Sequence, residues 1–327
     1  MDIKILLQKI IKSEGPMRLD RFMAIVSDYY YNYRQPFGRQ GDFITSPEIS
    51  TSFANAIGNW LYNVIKTRQP DQFQLLELGP GNGTLIKNLL NYIKIIPELS
   101  SILKQAYLIE KSSSMISKQQ QLLEGENVKW LTNISEAENI FTVVIANEFF
   151  DALPVRQFIY EKNGWKETFV GYKDTEGFSF VKTTAILSSK PDVGDILEHS
   201  YQSELYASEI ASFIKRAGGS ALIIDYGYTS PFKEATLQAI MNHKAVPLLK
   251  FIGEADWSAH VNFSFLEDIF SSNGLSSNLS TQRDFLIRNG IEEMIKSTPK
   301  SLDRLIGIDS MGLLFKVMEV FGERTTY

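Results

Sequence analysis

The sequence contains no cysteine, and its three histidines, His199, His243 and His260, are scattered. Without cysteine the chain can form neither a disulfide nor a thiolate nucleophile. The histidine spacing does not match the ligand spacing of a zinc site. We therefore predict a function that uses no bound metal, while the absence of cysteine leaves the cellular compartment open.

The chain also lacks a surplus of basic charge and any long apolar run. Its 327 residues carry 33 Lys+Arg against 38 Asp+Glu, a net charge of -5, which argues against sequence-independent attraction to nucleic acid phosphate. No stretch approaches the roughly 20 apolar residues of a membrane span. Asp2, Gln8 and Lys9 interrupt any secretory signal core at the amino end. We expect a cytoplasmic protein with no membrane span and no nucleic acid partner.

Helical spacing dominates the first 70 residues. Residues at the i, i+3, i+4 spacing of one helix face are apolar, namely Ile3, Leu6, Leu7, Ile10 and Ile11. A second apolar pattern covers residues 19–26. The triplet Ser46, Pro47 and Glu48 predicts a helix start, with a hydroxyl cap, a first-turn proline and an acid at the positive end of the dipole, and this helix is expected to continue through residues 60–65.

After residue 70, short apolar strands alternate with helical stretches. The sequence FQLLELGPGNGTLIKNLLNYIK, residues 73–94, gives a strand, a glycine-rich turn and a helix. Further strand candidates are residues 106–110 and 143–146, with a helical stretch at 115–123. This alternation is typical of an α/β fold with a parallel, doubly wound sheet.

The period changes to two between residues 155 and 184, which predicts an antiparallel meander inserted on the main sheet. A helix over about residues 201–216 is expected to end at Gly218 and Gly219, after which SALIIDYG resumes the core sheet. A final strand is expected near residues 313–320.

The turn ELGPGNG carries the first chemical signal. Gly79, Gly81 and Gly83 follow Glu77 at every second residue, whereas a dinucleotide fingerprint would need glycine in place of Thr84. Glu77 would also repel a pyrophosphate, by about 4 kcal/mol for unit charges about 4 Å apart at an effective dielectric near 20. S-adenosylmethionine has no phosphate and carries an ammonium and a sulfonium, so the motif favours it over NAD.

Glu110 ends the second strand candidate, in AYLIEKS. An acid at this position accepts hydrogen bonds from ribose hydroxyls in nucleoside-binding sheets, so it supports either cofactor. The alternative is a tight strand-to-helix turn without a ligand.

A pair of carboxylates, Glu148 and Asp151, follows the strand candidate that ends at residue 146. Ligands of open parallel sheets bind beyond the carboxyl ends of the strands. Carboxylates there could clamp a guanidinium and help to accept its proton. Phe149 and Phe150 would form an apolar wall or belong to the core. In the alternative interpretation Asn147 or Asp151 only caps the following turn.

Three further candidates have a structural alternative each. Asp225 ends the strand in SALIIDYG and either serves the site or caps a turn. Asp256 and His260 are four residues apart and would form an acid-oriented proton acceptor, or a loop hydrogen bond. Glu48 either closes over the cofactor or serves only the helix dipole.

Six sequence blocks resemble the MidA-like family of S-adenosylmethionine-dependent methyltransferases. They occur in order between residues 41 and 317: GDFITSPEIS, LLELGPGNGTL, ANEFFDALPVRQF, GGSALIIDYGY, GEADWSAHVNFSFL and MGLLFKV. The resemblance implies a class I methyltransferase fold, a mostly parallel seven-stranded sheet with a reversed last strand. It also implies methylation of arginine, in mitochondrial members on a core subunit of respiratory complex I in the matrix.

The expected site follows from the motifs and the resemblance together. We predict that S-adenosylmethionine is held by Glu48, Glu77, Gly79, Gly81, Gly83, Glu110 and Asn147. We predict catalytic roles for Glu148, Asp151, Asp225 and His260. The predicted domains are a helical extension with a cofactor-covering loop, residues 1–70, and a methyltransferase domain, residues 71–327, with insertions around 155–185 and 235–300. The expected partner is a protein substrate.

The chain departs from the family pattern at several positions. Thr51, Ala54 and Asn55 stand where relatives commonly have glutamine, glycine and glutamate, while Asn82 and Asn88 replace an arginine and an acid. The glycines and acids of the cofactor motif are kept. Two alternatives to an arginine methyltransferase therefore stay open: an enzyme acting on a small molecule or another side chain, and an assembly protein that binds the cofactor without transferring methyl groups.

Overall fold

The computed structural model describes residues 2–33, 45–188, 192–229, 234–295 and 299–322. These residues form two compact units, each built from discontinuous segments. Unit 1 takes the described residues within Met1–Phe43, Asp151–Glu204 and Tyr228–Asn262, and unit 2 takes those within Ile44–Phe150, Leu205–Gly227 and Phe263–Tyr327. The units cut the chain differently from the boundary expected at residue 70, and that division stays a prediction.

The α-helices of the described residues are α1 Ile3–Glu14, α2 Leu19–Tyr33, α3 Ser46–Ile49, α4 Thr51–Arg68, α5 Thr84–Lys94, α6 Pro97–Ser100, α7 Ser113–Leu122, α8 Tyr201–Ala217, α9 Phe263–Ser272, α10 Gln282–Arg288, α11 Ile291–Met294, α12 Pro299–Ile306 and α13 Met311–Leu314. The strands are β1 Met17–Arg18, β2 Phe73–Leu78, β3 Leu103–Ile109, β4 Val128–Leu131, β5 Phe141–Asn147, β6 Arg156–Glu161, β7 Gly164–Lys173, β8 Gly177–Thr184, β9 Ile196–His199, β10 Gly219–Tyr228, β11 Gln238–Met241, β12 Lys244–Val246, β13 Asp256–Ser258, β14 Val261–Asn262, β15 Ser276–Thr281 and β16 Phe315–Phe321. Among the helices of these ranges, none combines the length and the hydrophobicity of a membrane-spanning segment.

Unit 2 contains the main sheet, with the strand order β15-β16-β10-β5-β2-β3-β4. Neighbouring strands from β4 to β10 are parallel, whereas β16 runs antiparallel to both β10 and β15. All residues of β2 are buried, as expected for a strand covered on both faces. The predicted α/β fold with a reversed last strand is confirmed.

The core of unit 2 packs α4 and α5 together with the central strands. Gly58 on α4 lets the two helices approach closely, because a Cβ at this position would clash with the ring of Tyr92 on α5. Tyr92 Oη also donates to Asn59 Oδ1 at 2.5 Å. These contacts fix the helix that begins directly after the glycine-rich turn.

Unit 1 contains the predicted meander. The consecutive strands β6, β7 and β8 form antiparallel pairs, β6 with β7 and β7 with β8. β1 pairs with β7 and β9 pairs with β6 in the same sheet. A second sheet has the order β12-β11-β13. The apolar faces of α1 and α2 belong to the core of unit 1, in which Phe22 and Trp257 pack with ring centroids 5.6 Å apart.

The prediction of one continuous helix from Ser46 to residue 65 is wrong. α3 ends at Ile49, and Ser50 is extended (φ -159°, ψ 139°). The hydroxyl of Ser50 accepts a hydrogen bond from Ser52 N and so caps α4, which begins at Thr51. The predicted hydroxyl cap is therefore Ser50, while Ser46 is the first residue of α3. Residues 34–44 of the predicted covering loop, like the first residues of the GDFITSPEIS block, lie outside the described ranges.

Candidate functional site

The glycine-rich turn links β2 to α5. Gly79, Gly81 and Gly83 have φ values of 58°, 52° and 84°, in the left-handed region that glycine adopts without steric cost. Gly79 N donates to Ile109 O at 3.1 Å, which keeps the start of the turn attached to β3. At these three positions the turn therefore carries no side chain of its own.

Phe149 covers the first of these glycines. A Cβ added to Gly79 would lie 2.6 Å from Phe149 Cδ2. The Phe149 ring also packs edge-on against Phe150 and Tyr206, at centroid distances of 5.4 and 4.9 Å. Phe150 is 2% exposed and belongs to the core. Phe149 thus forms an apolar wall against the glycine turn.

We expect Gly79→Ala to lower the free energy of unfolding by about 2 to 4 kcal/mol, because the left-handed backbone and the contact with Phe149 both oppose a methyl group. The affinity for S-adenosylhomocysteine should fall as well. Gly125→Ala is the matched control, since Gly125 has φ +79° but no atom of the described residues within 4 Å of its Cβ position. Equal losses in the two variants, measured by thermal melting and calorimetry, would contradict a specific close approach at Gly79.

Glu77 lies at the end of β2 and is 3% exposed. Its carboxylate accepts the amide of Ile86 in the first turn of α5, whose N-cap, Gly83, has no side chain to do so. Burial raises the pKa of Glu77 to about 8. Its Oε2 is buried without a hydrogen-bond partner among the described residues.

Glu110 follows β3 and is held by three donors. Its Oε1 accepts from Lys111 N at 2.8 Å and Ser112 N at 2.9 Å, and its Oε2 accepts from Gln119 Nε2 at 3.2 Å. Burial raises the pKa of Glu110, and these hydrogen bonds counteract the rise. About four acceptor positions exist on a carboxylate, so the Oε2 keeps one for a ligand hydroxyl.

Asn147 ends β5, and Glu148 follows it directly. Glu148 has φ 51°, a left-handed backbone that a residue with a side chain adopts only at a cost, and its N donates to Ile224 O at 2.9 Å. Glu148 Oε1 accepts from Ser46 N at 3.3 Å and from Asn147 Nδ2 at 3.4 Å. Asn147 Oδ1 is buried without a hydrogen-bond partner in the described part of the chain.

Glu48 joins the same unit from α3. Its Oε1 accepts from Asn82 Nδ2 in the glycine turn at 2.8 Å, and its Oε2 is buried with no partner among described residues. Asn82, one of the departures from the family pattern, thus ties α3 to the turn. Because Glu48 contacts a residue outside α3, its role is not limited to the helix dipole.

Three acceptor oxygens without donors in the described ranges, on Glu48, Glu77 and Asn147, therefore belong to unit 2. The strand register places Glu77, Glu110 and Asn147 on the same face of the sheet, since Glu77 pairs with Leu108 and with Ile145. Buried acceptors need donors or cations as ligands. The ammonium, sulfonium and hydroxyl groups of S-adenosylmethionine supply these, so the residues present fit this cofactor.

Asp225 lies on β10 and is fully buried. Its Oδ2 accepts the amides of Phe149 and Phe150 at 3.2 and 2.9 Å, and its Oδ1 accepts the amide of Tyr226 at 3.0 Å. This geometry corresponds to the turn-capping alternative: Asp225 positions the two phenylalanines after Glu148. Direct catalysis by Asp225 stays a prediction.

Asp151 belongs to unit 1, where it is 8% exposed. Burial raises its pKa to about 7, and hydrogen bonds from the amide of Ala152 and from its own amide counteract the rise. Burial and the charges of Asp256 and Asp151 raise the pKa of Tyr31 in the same unit. Asp151 is therefore a buried acid with a pKa near neutrality, and its catalytic role stays a prediction.

His260, also in unit 1, has a different carboxylate from the one expected. Residues 256–258 form β13, so residues four apart are not neighbours as on a helix. Asp256 accepts a hydrogen bond from Tyr31, whereas Glu198 is the acid whose charge acts on His260. Burial lowers the pKa of His260. The described residues contain no cluster of His, Cys, Asp and Glu that could hold a metal ion.

Sequence reasoning missed Gln119 on α7. The side chain is fully buried and contacts both the glycine turn and Glu110. Its signal in the sequence is its position four residues after Met115, because these two residues are the buried face of α7. A glutamine on the buried face of a helix needs polar partners.

Known proteins resemble the chain in sequence and in fold. The sequence profile of a family of S-adenosyl-L-methionine-dependent methyltransferases matches residues 56–281. The Homo sapiens protein arginine methyltransferase NDUFAF7, mitochondrial, is 30% identical, over 88% of this chain and 73% of its own length. Its Drosophila melanogaster homologue is 32% identical, over 81% of this chain and 69% of its own length. The Caenorhabditis elegans homologue is 29% identical, over 97% of this chain and 85% of its own length. A Burkholderia thailandensis protein, crystallised with S-adenosyl-homocysteine, has the same fold (TM-score 0.87, 24% identity, 98% of this chain and 91% of that one).

Proposed function

Because the chain belongs to the MidA-like family of S-adenosyl-L-methionine-dependent methyltransferases, we propose that it methylates an arginine side chain of a protein. Relatives named protein arginine methyltransferases, at 29% to 32% identity, support this acceptor. The resemblance of the sequence blocks supports a subunit of respiratory complex I as the protein substrate. The proposed site of action is the cytoplasm, while the relatives are named as mitochondrial.

The cofactor, S-adenosyl-L-methionine, supplies a methyl group on a positively charged sulfur. In this proposal the cofactor would be held by the glycine turn, by the Oε2 atoms of Glu48 and Glu77 and the Oδ1 of Asn147, which would accept from its cationic groups, and by Glu110, which would accept a ribose hydroxyl. Phe149 excludes water from the apolar side of the turn. Water exclusion strengthens each of these electrostatic interactions.

The observation that carries the choice of arginine is the backbone of Glu148. Its left-handed conformation turns the chain directly after β5, at the edge of the sheet where ligands bind. A carboxylate here can hold a guanidinium through paired hydrogen bonds and localise its charge. One guanidinium nitrogen would then be less conjugated, and the same carboxylate would accept the proton that this nitrogen releases on methylation. Positioning of this kind supplies about 7 to 11 kcal/mol in well-oriented systems. The catalytic roles predicted for Asp151, Asp225 and His260 belong to the same proposal.

Labelled methyl transfer tests the proposal. The protein is incubated with methyl-labelled S-adenosylmethionine and the complex I core subunits of its source organism, and labelled peptides are mapped by mass spectrometry. We expect label on one arginine, and no label when that arginine is replaced by lysine in the acceptor. Label on another residue type, or only on small molecules, would overturn the arginine assignment. Cofactor binding without any transfer would point to an assembly role.

A further inference from the structure

We infer that Gln119 is a positioning residue that locks Glu110 to the glycine turn, so that the cofactor site recognises the ribose hydroxyls. The inference rests on the ribose contact proposed for Glu110 and is independent of the methyl acceptor. Gln119 is fully buried on α7, in the same unit as the glycine turn. Its contacts extend to the carbonyl of Gly81, the carboxylate of Glu110 and the indole of Trp130.

The amide of Gln119 uses both of its ends. Nε2 donates to Gly81 O at 2.7 Å and to Glu110 Oε2 at 3.2 Å, while Oε1 accepts from Trp130 Nε1 at 2.8 Å. The indole nitrogen is a donor only, so Trp130 fixes which end of the amide is the oxygen. The NH2 group must then face Gly81 and Glu110. Trp130 on β4 thus sets the orientation of an amide that joins β3 to the turn.

The result for Glu110 is a fixed carboxylate plane. The amides of Lys111 and Ser112 hold Oε1, and Gln119 holds Oε2. Burial raises the pKa of Glu110, and the hydrogen bond from Gln119 lowers it. The hydrogen bond therefore favours the charged form of the carboxylate. A charged, oriented carboxylate is the stronger acceptor for a hydroxyl.

Packing favours the same role. A Cβ added to Gly83 would lie 3.5 Å from Gln119 Cγ, so the aliphatic part of the side chain lies against the last glycine of the turn. Gln119 therefore contacts the turn at Gly81 through its amide and at Gly83 through its stem. A displacement of this side chain would move the turn and Glu110 together.

The test compares two ligands in calorimetry without any methyl acceptor: S-adenosylhomocysteine and its analogue lacking the ribose 2′- and 3′-hydroxyl groups. In the unmodified protein we expect the analogue to bind about 10- to 100-fold more weakly, the range for hydrogen bonds to a charged group. In Gln119→Met we expect this ratio to fall towards one, because Glu110 loses its orientation. A ratio unchanged in Gln119→Met, with both affinities reduced equally, would overturn the inference.

Two further variants separate positioning from folding. Gln282→Met removes another fully buried glutamine of unit 2, whose Nε2 donates to Leu305 O at 2.9 Å, and should leave the ligand ratio intact. Trp130→Phe keeps Gln119 and removes the indole donor together with part of the ring, so it remains informative if Gln119→Met does not fold. We expect Trp130→Phe to reduce the ratio as well. If a folded Trp130→Phe protein kept the same ratio of the two ligand affinities as the unmodified protein, this result would count against a fixed orientation of the Gln119 amide.

Discussion

Glu148→Gln is expected to reduce methyl transfer at least about 100-fold and to leave the affinity for S-adenosylhomocysteine within about twofold. Glutamine has nearly the same shape, but it cannot form two charge-assisted hydrogen bonds to a guanidinium or accept its proton. The left-handed backbone of Glu148 is equally costly for both residues, so the local fold should be kept. Single-turnover transfer to the acceptor and calorimetry with S-adenosylhomocysteine measure the two effects separately.

Glu126→Gln is a matched control for that variant. Glu126 lies in the same unit, and its Oε1 bonds Lys87 and Lys94 at 2.9 and 2.6 Å. Loss of these ion pairs should lower stability slightly without changing transfer. If Glu148→Gln also lost cofactor affinity, Glu148 would belong to the cofactor contacts and the guanidinium assignment would fail. Normal transfer in the variant would assign the acceptor contact to other residues.

The features that sequence reasoning predicted well are local in the chain. The glycine turn, the acid after β3 and the carboxylate after β5 each occupy a short motif at the end of an apolar strand. Strand and helix periods identify such positions, and the carboxyl edge of a parallel sheet brings them to one place. The reversed last strand, by contrast, followed from the family resemblance.

The features that sequence reasoning missed depend on contacts between distant residues. Glu148 Oε1 accepts from Ser46 N across 102 positions, and Gln119 donates to Gly81 O across 38. Nothing in the local pattern of either residue specifies its partner. The break at Ser50 is the opposite case, because a local hydroxyl cap interrupts an otherwise continuous helical period.

The strongest dependence on pH is expected from Glu77. Its pKa is raised by burial to about 8, so the carboxyl group of the ligand-free protein is mostly protonated at pH 7. A cationic ligand favours the ionised form, and a pair about 4 Å apart at an effective dielectric near 20 attracts by about 4 kcal/mol. Binding then releases a proton. We expect the affinity for S-adenosylmethionine to rise between about pH 6 and 7.5, by up to about tenfold per pH unit.

Glu77→Gln should remove this slope and weaken binding about 100-fold at about pH 7.5, because the neutral amide cannot attract the cation. The side-chain oxygen of the introduced glutamine can still accept the amide of Ile86, so the cap of α5 is retained. Calorimetry across this pH range distinguishes the variant from the unmodified protein. A parallel slope in both proteins would show that another group titrates on binding.

The stability of the ligand-free protein should change in the opposite direction. A pKa raised from 4.5 to about 8 means that the folded protein binds the proton more tightly than the unfolded chain. The stability this contributes is complete below about pH 4.5 and is lost as the pH rises through about 8, by about 5 kcal/mol at most. The glutamine in Glu77→Gln does not titrate, so melting of this variant should shift to higher temperature relative to the unmodified protein as the pH rises from about 5.5 to 8.5. The ionised Glu77 that binds a cation would then destabilise the ligand-free protein. A difference in melting temperature that stays constant across this pH range would refute that conclusion.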